Sequence, residues 1–243
     1  MKVKVELHTH TNYSHDSLLS KWLYLVMLKL RKIDVVGITD HNEIEGAKKI
    51  KSFLNKYGIK VIVGEEVFSE RGEIIGLFIE KKILPGLSPR ETMLQIKEQG
   101  GVVYIPHPYD EKRYKTVLPE EDIKKNSDLI DIIEIHNGRN IKSLFSDKQL
   151  EIGKKYNKIM CVGSDAHTFI ELGRNYNIMD EFNDSFDFLN KLKESKSIQR
   201  DCLQVCHQLT KIDRIIKLLG KGQFNELFRV IYKRYRKRNH KAC

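Results

Sequence analysis

A chain of 243 residues with 40% apolar content and a formal net charge of +10 can bury the core of one barrel-sized domain, alone or with a small appendage. Residues 1–6 alternate Lys with Val and hold no long apolar run, which argues against a signal peptide or spanning helix and makes a cytoplasmic protein the expectation. The four cysteines, Cys161, Cys202, Cys206 and Cys243, lack CxxC spacing, against a disulfide framework or a structural zinc knuckle.

In chain order, β-rich runs at 3–7, 35–39, 61–64, 102–105, 132–135 and 159–162 predict buried strands, with an extra strand at 73–80 after the Arg71-Gly72 turn. Helix-compatible patterning fills 18–32, 43–57, 89–99, 147–156 and 186–193. Pro89 follows Ser88 as a first-turn proline follows a cap, and Gly100-Gly101 stops that helix. Alternating β and α segments predict right-handed crossovers and a parallel sheet, closed or open.

Polar residues choose between the two. Compact clusters end the strands: His8-Thr9-His10, Thr39-Asp40-His41, Glu65-Glu66, His107, His136-Asn137 and Ser164-Asp165-Ala166-His167. A closed (β/α) barrel brings every C-terminal strand end to one mouth, whereas an open sheet gathers ligands at one switch point, so contributions from this many strands favour the barrel.

Seven of nine histidines (His8, His10, His15, His41, His107, His136, His167) fall at or just after predicted strand ends. His8 and His10, two apart, share a strand face and can grip one ion, and Asp165 and His167 repeat that spacing. Glu66 and Asp165 add oxygen ligands suited to Zn, Mn or Fe. Two or three such ions, neighbours roughly 3.5–4 Å apart, would hold a hydroxide and neutralise phosphate oxygens, so phosphoester hydrolysis is the expected chemistry.

The ordered motifs His8-Thr9-His10-Thr11, Tyr13-Ser14-His15-Asp16-Ser17, Ile38-Thr39-Asp40-His41-Asn42, Gly64-Glu65-Glu66, Pro106-His107-Pro108 and Gly163-Ser164-Asp165-Ala166-His167 resemble the PHP (polymerase and histidinol phosphatase) superfamily over residues 1–190. The resemblance implies a distorted (β/α)7 barrel with a trinuclear metal site. It also implies His8, His10, Glu66 and Asp165 around a first ion, Glu66 and His107 at a second, and Asp16, His41 and His167 at a third. This chain departs from the family pattern twice. His15 stands where many members have an acid, with Asp16 one place later, so His15 stays a candidate beside Asp16. Glu73 stands where many members have a histidine, leaving Glu73, or His136 in compensation, as candidate ligands.

Arg139 and Arg174 are candidates for a phosphate clamp, against ordinary solvated arginines, and Tyr13 and Tyr109 for stacking on a base. From Arg200 onward twelve Lys or Arg face three acids, which sets the expected boundary between a barrel at 1–198 and a basic helical extension at 199–243. Apolar residues recur there at helical spacing (Leu203, Cys206, Leu209, Ile212, Ile216, Leu219) and, after Gly220 and Gly222, at Phe224, Leu227, Phe228, Ile231 and Tyr235. The extension fits helices packed on the barrel, a nucleic-acid contact or, less well, a membrane-surface anchor. The first expectation is a hydrolase of a phosphomonoester, nucleotide or short oligonucleotide using ion-bound hydroxide. Histidinol-phosphate phosphatase is the second, and a catalytically silent metal-binding module that docks nucleic acid or membrane the third.

Overall fold

The computed structural model describes residues 1–111, 113, 115–201 and 203–229. Cys202, Ile231, Tyr235, Cys243 and the basic run at 233–241 therefore lie outside the described residues. A nine-stranded sheet runs in the order β7-β6-β5-β4-β3-β2-β1-β8-β9. The strands are β1 (Lys2–Glu6), β2 (Val35–Ile38), β3 (Lys60–Phe68), β4 (Glu73–Leu77), β5 (Val102–Ile105), β6 (Ile132–Asn137), β7 (Ile159–Gly163), β8 (Tyr176–Asp180) and β9 (Lys196–Ile198). The helices are α1 (Lys21–Arg31), α2 (Glu45–Asn55), α3 (Pro89–Lys97), α4 (Glu120–Lys125), α5 (Ser143–Lys155), α6 (Ser185–Lys193) and α7 (Gln204–Gly220), and residues 224–229 are helical too.

The sheet curls into the expected distorted barrel but departs from a parallel series at β4 and at two strands beyond the predicted ones, β8 antiparallel to β1 and β9 antiparallel to β8. β1–β2–β3 and β5–β6–β7 are parallel runs, but β4 is antiparallel to both β3 and β5, because a tight turn rather than a helix joins it to β3. The seam between β7 and β1 closes largely through other groups. The Asn177 side chain receives the Val162 amide (3.2 Å) and donates to Val162 O (3.0 Å) and Val5 O (3.4 Å), standing in for a strand pair. Beyond it His10 N donates to Ala166 O at 2.9 Å and Ala166 N to His8 O at 3.3 Å, so the ends of β1 and β7 are tied where both carry candidate ligands.

Alternation along the strands builds two apolar layers. Val3, Val5, Val35, Ile62, Ile75, Val102, Tyr104, Ile132 and Cys161 fill the barrel, plugged by Phe182, Phe188 and Leu192 around α6. Val36, Ile38, Val61, Val103, Ile105 and Ile133 join the outer layer, with Tyr24, Leu28, Ile50, Leu54, Met93 and Ile96 of the helices. Burial on both faces explains why these strands read as unbroken apolar runs. Ser88 and Glu91 form a reciprocal capping box on α3, as the Ser88-Pro89 pair predicts. α1 starts three residues later than its pattern, because Leu19 is held in a loop by Asn12 N→Leu19 O (2.9 Å) and Ser20 takes the cap.

The described part of the extension meets the barrel at its mouth. Arg139 donates to Thr210 Oγ of α7 at 2.9 Å, and Lys217 Nζ donates to Asn12 O (2.6 Å) and to Ser14 O. No helix among the described residues is long and apolar enough to cross a membrane.

Candidate metal centre

The strand after the HxH motif ends in a loop held by one carboxylate. Asp40, beyond β2, accepts from Thr11 N, Thr11 Oγ and Ser14 Oγ, each at 2.6 Å. With its own hydrogen given to Asp40, Ser14 Oγ is left as acceptor for His10 Nδ1 at 3.1 Å. His8 Nδ1 meets Glu134 Oε1 at 3.1 Å, and His167 Nδ1 meets Asp165 O at 2.8 Å. All three partners accept, so each Nδ1 carries a hydrogen and each Nε2 is the nitrogen that faces the pocket.

Those nitrogens converge on carboxylates. His10 Nε2 lies 3.4 Å from Glu66 Oε2 and 3.3 Å from Asp165 Oδ1, and His8 Nε2 lies 3.4 Å from Glu66 Oε1 and 3.7 Å from Asp165 Oδ1. His107 Nε2 stands between Glu66 Oε1 (3.2 Å) and Glu73 Oε2 (3.3 Å). His41 Nδ1 touches Glu66 Oε2 at 3.0 Å and faces Glu73 Oε1 at 3.6 Å. His167 Nε2 sits 3.4 Å and His41 Nε2 3.8 Å from Asp16 Oδ1. Donor atoms of His8, His10 and Glu66, of His10, His41 and His167, and of His41, Glu66 and Glu73 each fall within 4.8 Å of one another. Glu66 is central because its two oxygens face different imidazoles.

The remaining sequence candidates lie around this cluster or away from it. His15 is 55% exposed, its Nε2 3.7 Å from Asp16 Oδ2 at the rim. His136 turns outward, to Ser146 Oγ (2.8 Å) and Arg200 O (3.3 Å). Arg139 is buried beside Glu171 at 3.5 Å, and Arg174 reaches Asp201 O at 3.4 Å. Tyr109 packs on Phe145, and Tyr13 lies under the Lys49 ammonium at the surface. Glu65 faces away and accepts from Ile83 N at 2.9 Å, with burial pushing its pKa up to about 7.

Two residues in contact with the centre escape sequence reasoning. Glu134, fully buried in β6, binds His8, the Tyr104 hydroxyl (2.5 Å), His107 N (2.7 Å) and Asn137 Nδ2 (2.8 Å). An acid inside a run of isoleucines is the signal that could have revealed it. Arg113 donates to Asp165 Oδ2 (2.5 Å), Asn137 Oδ1 (2.9 Å) and Asp110 Oδ2 (3.0 Å), so it holds the oxygen of Asp165 opposite the histidines. Nothing in its sequence surroundings distinguishes it from the other lysines and arginines of the chain.

Burial and charge contend throughout the cluster. Burial favours neutral His8, but the carboxylates of Glu66, Asp165 and Glu134 outweigh it and raise the pKa well above the ordinary value. Against burial, adjacent carboxylates likewise lift His41 to about 10, and hydrogen bonds to Glu66 and Glu73 lift His107 to about 9. His10 goes the other way, well below, through burial and the neighbouring His167 and His41. Glu66 and Asp165 are held well below the usual carboxylate range, although burial opposes it, chiefly by His8 and His41 and by Arg113 and His8 respectively.

Such a cluster has the donors of a metal centre. Nε2 of His8, Nε2 of His10 and Oδ1 of Asp16 are buried without a hydrogen-bond partner among the described residues. Orphaned buried donors and acceptors are costly, and a mixed imidazole and carboxylate set matches Zn, Mn or Fe. Fold and site together define an α/β barrel with a histidine-carboxylate centre at its C-terminal mouth.

The PHP-domain family model matches residues 6–239. Two Methanocaldococcus jannaschii proteins are related in sequence. Uncharacterized protein MJ0417 is 34% identical over 203 residues, 79% of each chain, and uncharacterized protein MJ1587 is 43% identical over 117 residues, 44% of this chain and 68% of the other. The chain belongs to the PHP-domain family.

Among solved structures, a two-domain Bacteroides vulgatus protein containing a predicted PHP-like metal-dependent phosphoesterase superposes with a TM-score of 0.66 at 16% identity, over 82% of this chain and 65% of that one. This chain thus spans less than two thirds of that protein. PsfC from Pseudomonas syringae gives 0.63 at 16% identity, over 89% and 98%. At these identities the likeness is one of fold.

Proposed function

We propose that this protein is a metal-dependent phosphoesterase acting on a phosphomonoester, nucleotide or short oligonucleotide. The observation that carries the reading is the convergence of buried, unpartnered imidazole nitrogens on Glu66 and Asp165 at the barrel mouth. His8, His10, Glu66 and Asp165 would hold one ion, Glu66, His107 and Glu73 a second, and Asp16, His41 and His167 a third. Divalent Mn, Zn or Fe ions held there supply Lewis acidity that activates water and neutralises phosphoryl oxygens.

The protein's own groups set the geometry. Glu134 and Ser14 fix the rings of His8 and His10 through their Nδ1 atoms, so neither imidazole needs to reorient. Arg113, one quarter exposed, places its guanidinium on Asp165, Asp110 and Asn137 and so orients the Asp165 carboxylate, while Arg139 is engaged by Glu171 and Thr210.

The test is reconstitution of metal-stripped protein with Mn or Zn, followed by metal analysis and phosphate release from nucleoside monophosphates, histidinol phosphate, short oligonucleotides and an aryl phosphate. We expect more than one ion per chain, metal-dependent turnover, and its loss in His10→Ala. Arg113→Ala should lower kcat/KM about 10–100-fold while the ions stay bound. One ion or fewer per chain would sink the multinuclear reading, and uniform silence with ions bound would favour a binding module.

A further inference from the structure

α7 carries its charge on an unexpected side. Ile212, Ile216 and Leu219 are each about half exposed (50%, 48% and 48%), while Arg214 and Lys217 are partly buried toward the barrel mouth. Arg214, Lys217 and Lys221, three and then four residues apart, share one helix face. They line a cavity of about 140 Å³ together with His15 and one acid, Glu226. Among the described residues no carboxylate lies within ion-pair distance of Arg214, Lys217 or Lys221, and Lys217 is anchored only on the carbonyls of Asn12 and Ser14. Burial, then the nearby Lys221 ammonium, hold the Lys217 pKa below its ordinary value. The cavity therefore sets three cations against one lining acid, Glu226, and carries a surplus of positive charge.

The cavity adjoins the candidate metal centre. His15, in its wall, lies 3.7 Å from Asp16 and its ring centroid 5.1 Å from that of His41. Pockets that enclose a whole drug-sized ligand run to roughly 300–1,000 Å³. This one has room for a single oxyanion.

We propose that the α7 cavity is a subsite for a second anionic group of the substrate, phosphate or carboxylate, so that the protein selects phosphoesters carrying a second oxyanion near the scissile one. This rests on the phosphoesterase reading. The ester phosphate lies at the histidine-carboxylate centre while Arg214 and Lys221 receive the other group, and Lys217, already holding the HxH loop, links the two.

The experiment compares α,ω-alkanediol bisphosphates of two to six carbons with the matching monophosphates, on metal-loaded wild type and an Arg214→Gln/Lys221→Gln variant. We expect one chain length to be preferred over its monophosphate by about ten- to a hundredfold in kcat/KM, the worth of one or two charge-assisted hydrogen bonds. In the variant that preference collapses and monophosphate turnover holds within about twofold. The same bisphosphate preference in both proteins, or none in either, overturns the subsite. If no monophosphate or bisphosphate is hydrolysed and nucleotides and oligonucleotides also stay intact, the phosphoesterase reading has failed, and calorimetric titration with the bisphosphates decides the subsite separately. Tenfold weaker binding to a variant of unchanged melting temperature supports it, and equal binding overturns it.

Discussion

Replacing Glu6 by glutamine removes a buried titration from the seam between β1 and β7. The Glu6 carboxyl is fully buried, with Oε1 accepting from Ser164 N (2.9 Å) and His8 N (3.4 Å) and Oε2 against the Ser164 hydroxyl. Burial pushes its pKa from 4.5 up to about 8, in spite of the Ser164 hydrogen bonds. The folded protein therefore holds a proton there at neutral pH that the unfolded chain does not. Oε2 is its natural seat. Ser164 Oγ can accept that hydrogen, as it accepts Asn175 N at 3.0 Å, and turn its own toward Asn175 O at 3.4 Å. Because the folded state binds the extra proton, stability is undiminished below the unfolded pKa of 4.5, falls as pH rises through the window, and levels off above about 8. At about 1.4 kcal/mol per pH unit the loss totals about 5 kcal/mol. Glutamine mimics the protonated form, its oxygen keeping both amide donors and its NH2 donating to Ser164 Oγ. Urea denaturation of both proteins with chelator present should give matching stabilities near pH 4.5 and a margin for Glu6→Gln that widens to several kcal/mol by pH 9. A gap that stays constant from pH 5 to pH 9 would refute the reasoning.

Two further outcomes follow from the same geometry. His8, His41 and His107 hold protons above neutrality in the metal-free protein, and a coordinating imidazole must give its proton up, so Zn or Mn loading at pH 7.5 should release on the order of three protons per chain. A pH-stat titration reads this directly, and affinity should weaken as pH falls; release of less than one proton would count against these histidines as ligands. Gly163→Ala would set a Cβ 2.7 Å from the His8 Cβ and against Glu134 Oε1, at a cost of about 1–3 kcal/mol. The melting temperature and the metal content should fall together, and an unchanged melting curve would show that the seam has slack there.

Much of this protein is legible in its sequence because strands buried on both faces are written as short apolar runs, and their polar ends mark one mouth of the barrel. His8 and His10 share a face because side chains repeat every two residues along a strand. The same rule misplaces His136. Two residues after Glu134 it would share that inward face, but the β6–β7 register shifts between Glu134 and His136, so His136 goes to Ser146 and Asn137 enters the centre instead. The antiparallel direction of β4 is set by the length of one connection, which β-propensity does not report.

By itself, then, the chain's sequence determined the strands through β7, the barrel and the positions of the histidine and carboxylate clusters, since each depends on neighbours a few residues apart, whereas β8, β9 and α4 fall outside the runs its periodicity marks. Tertiary structure alone decided that Asn177 and Glu6 close the seam, that Glu134 and Arg113 orient His8 and Asp165, and that α7 turns its cations toward the mouth. Those roles come from groups far apart in the chain, such as Glu6 and Ser164 or Lys217 and Asn12. Local periodicity carries no record of which distant side chain a buried polar atom will meet; only packing decides it.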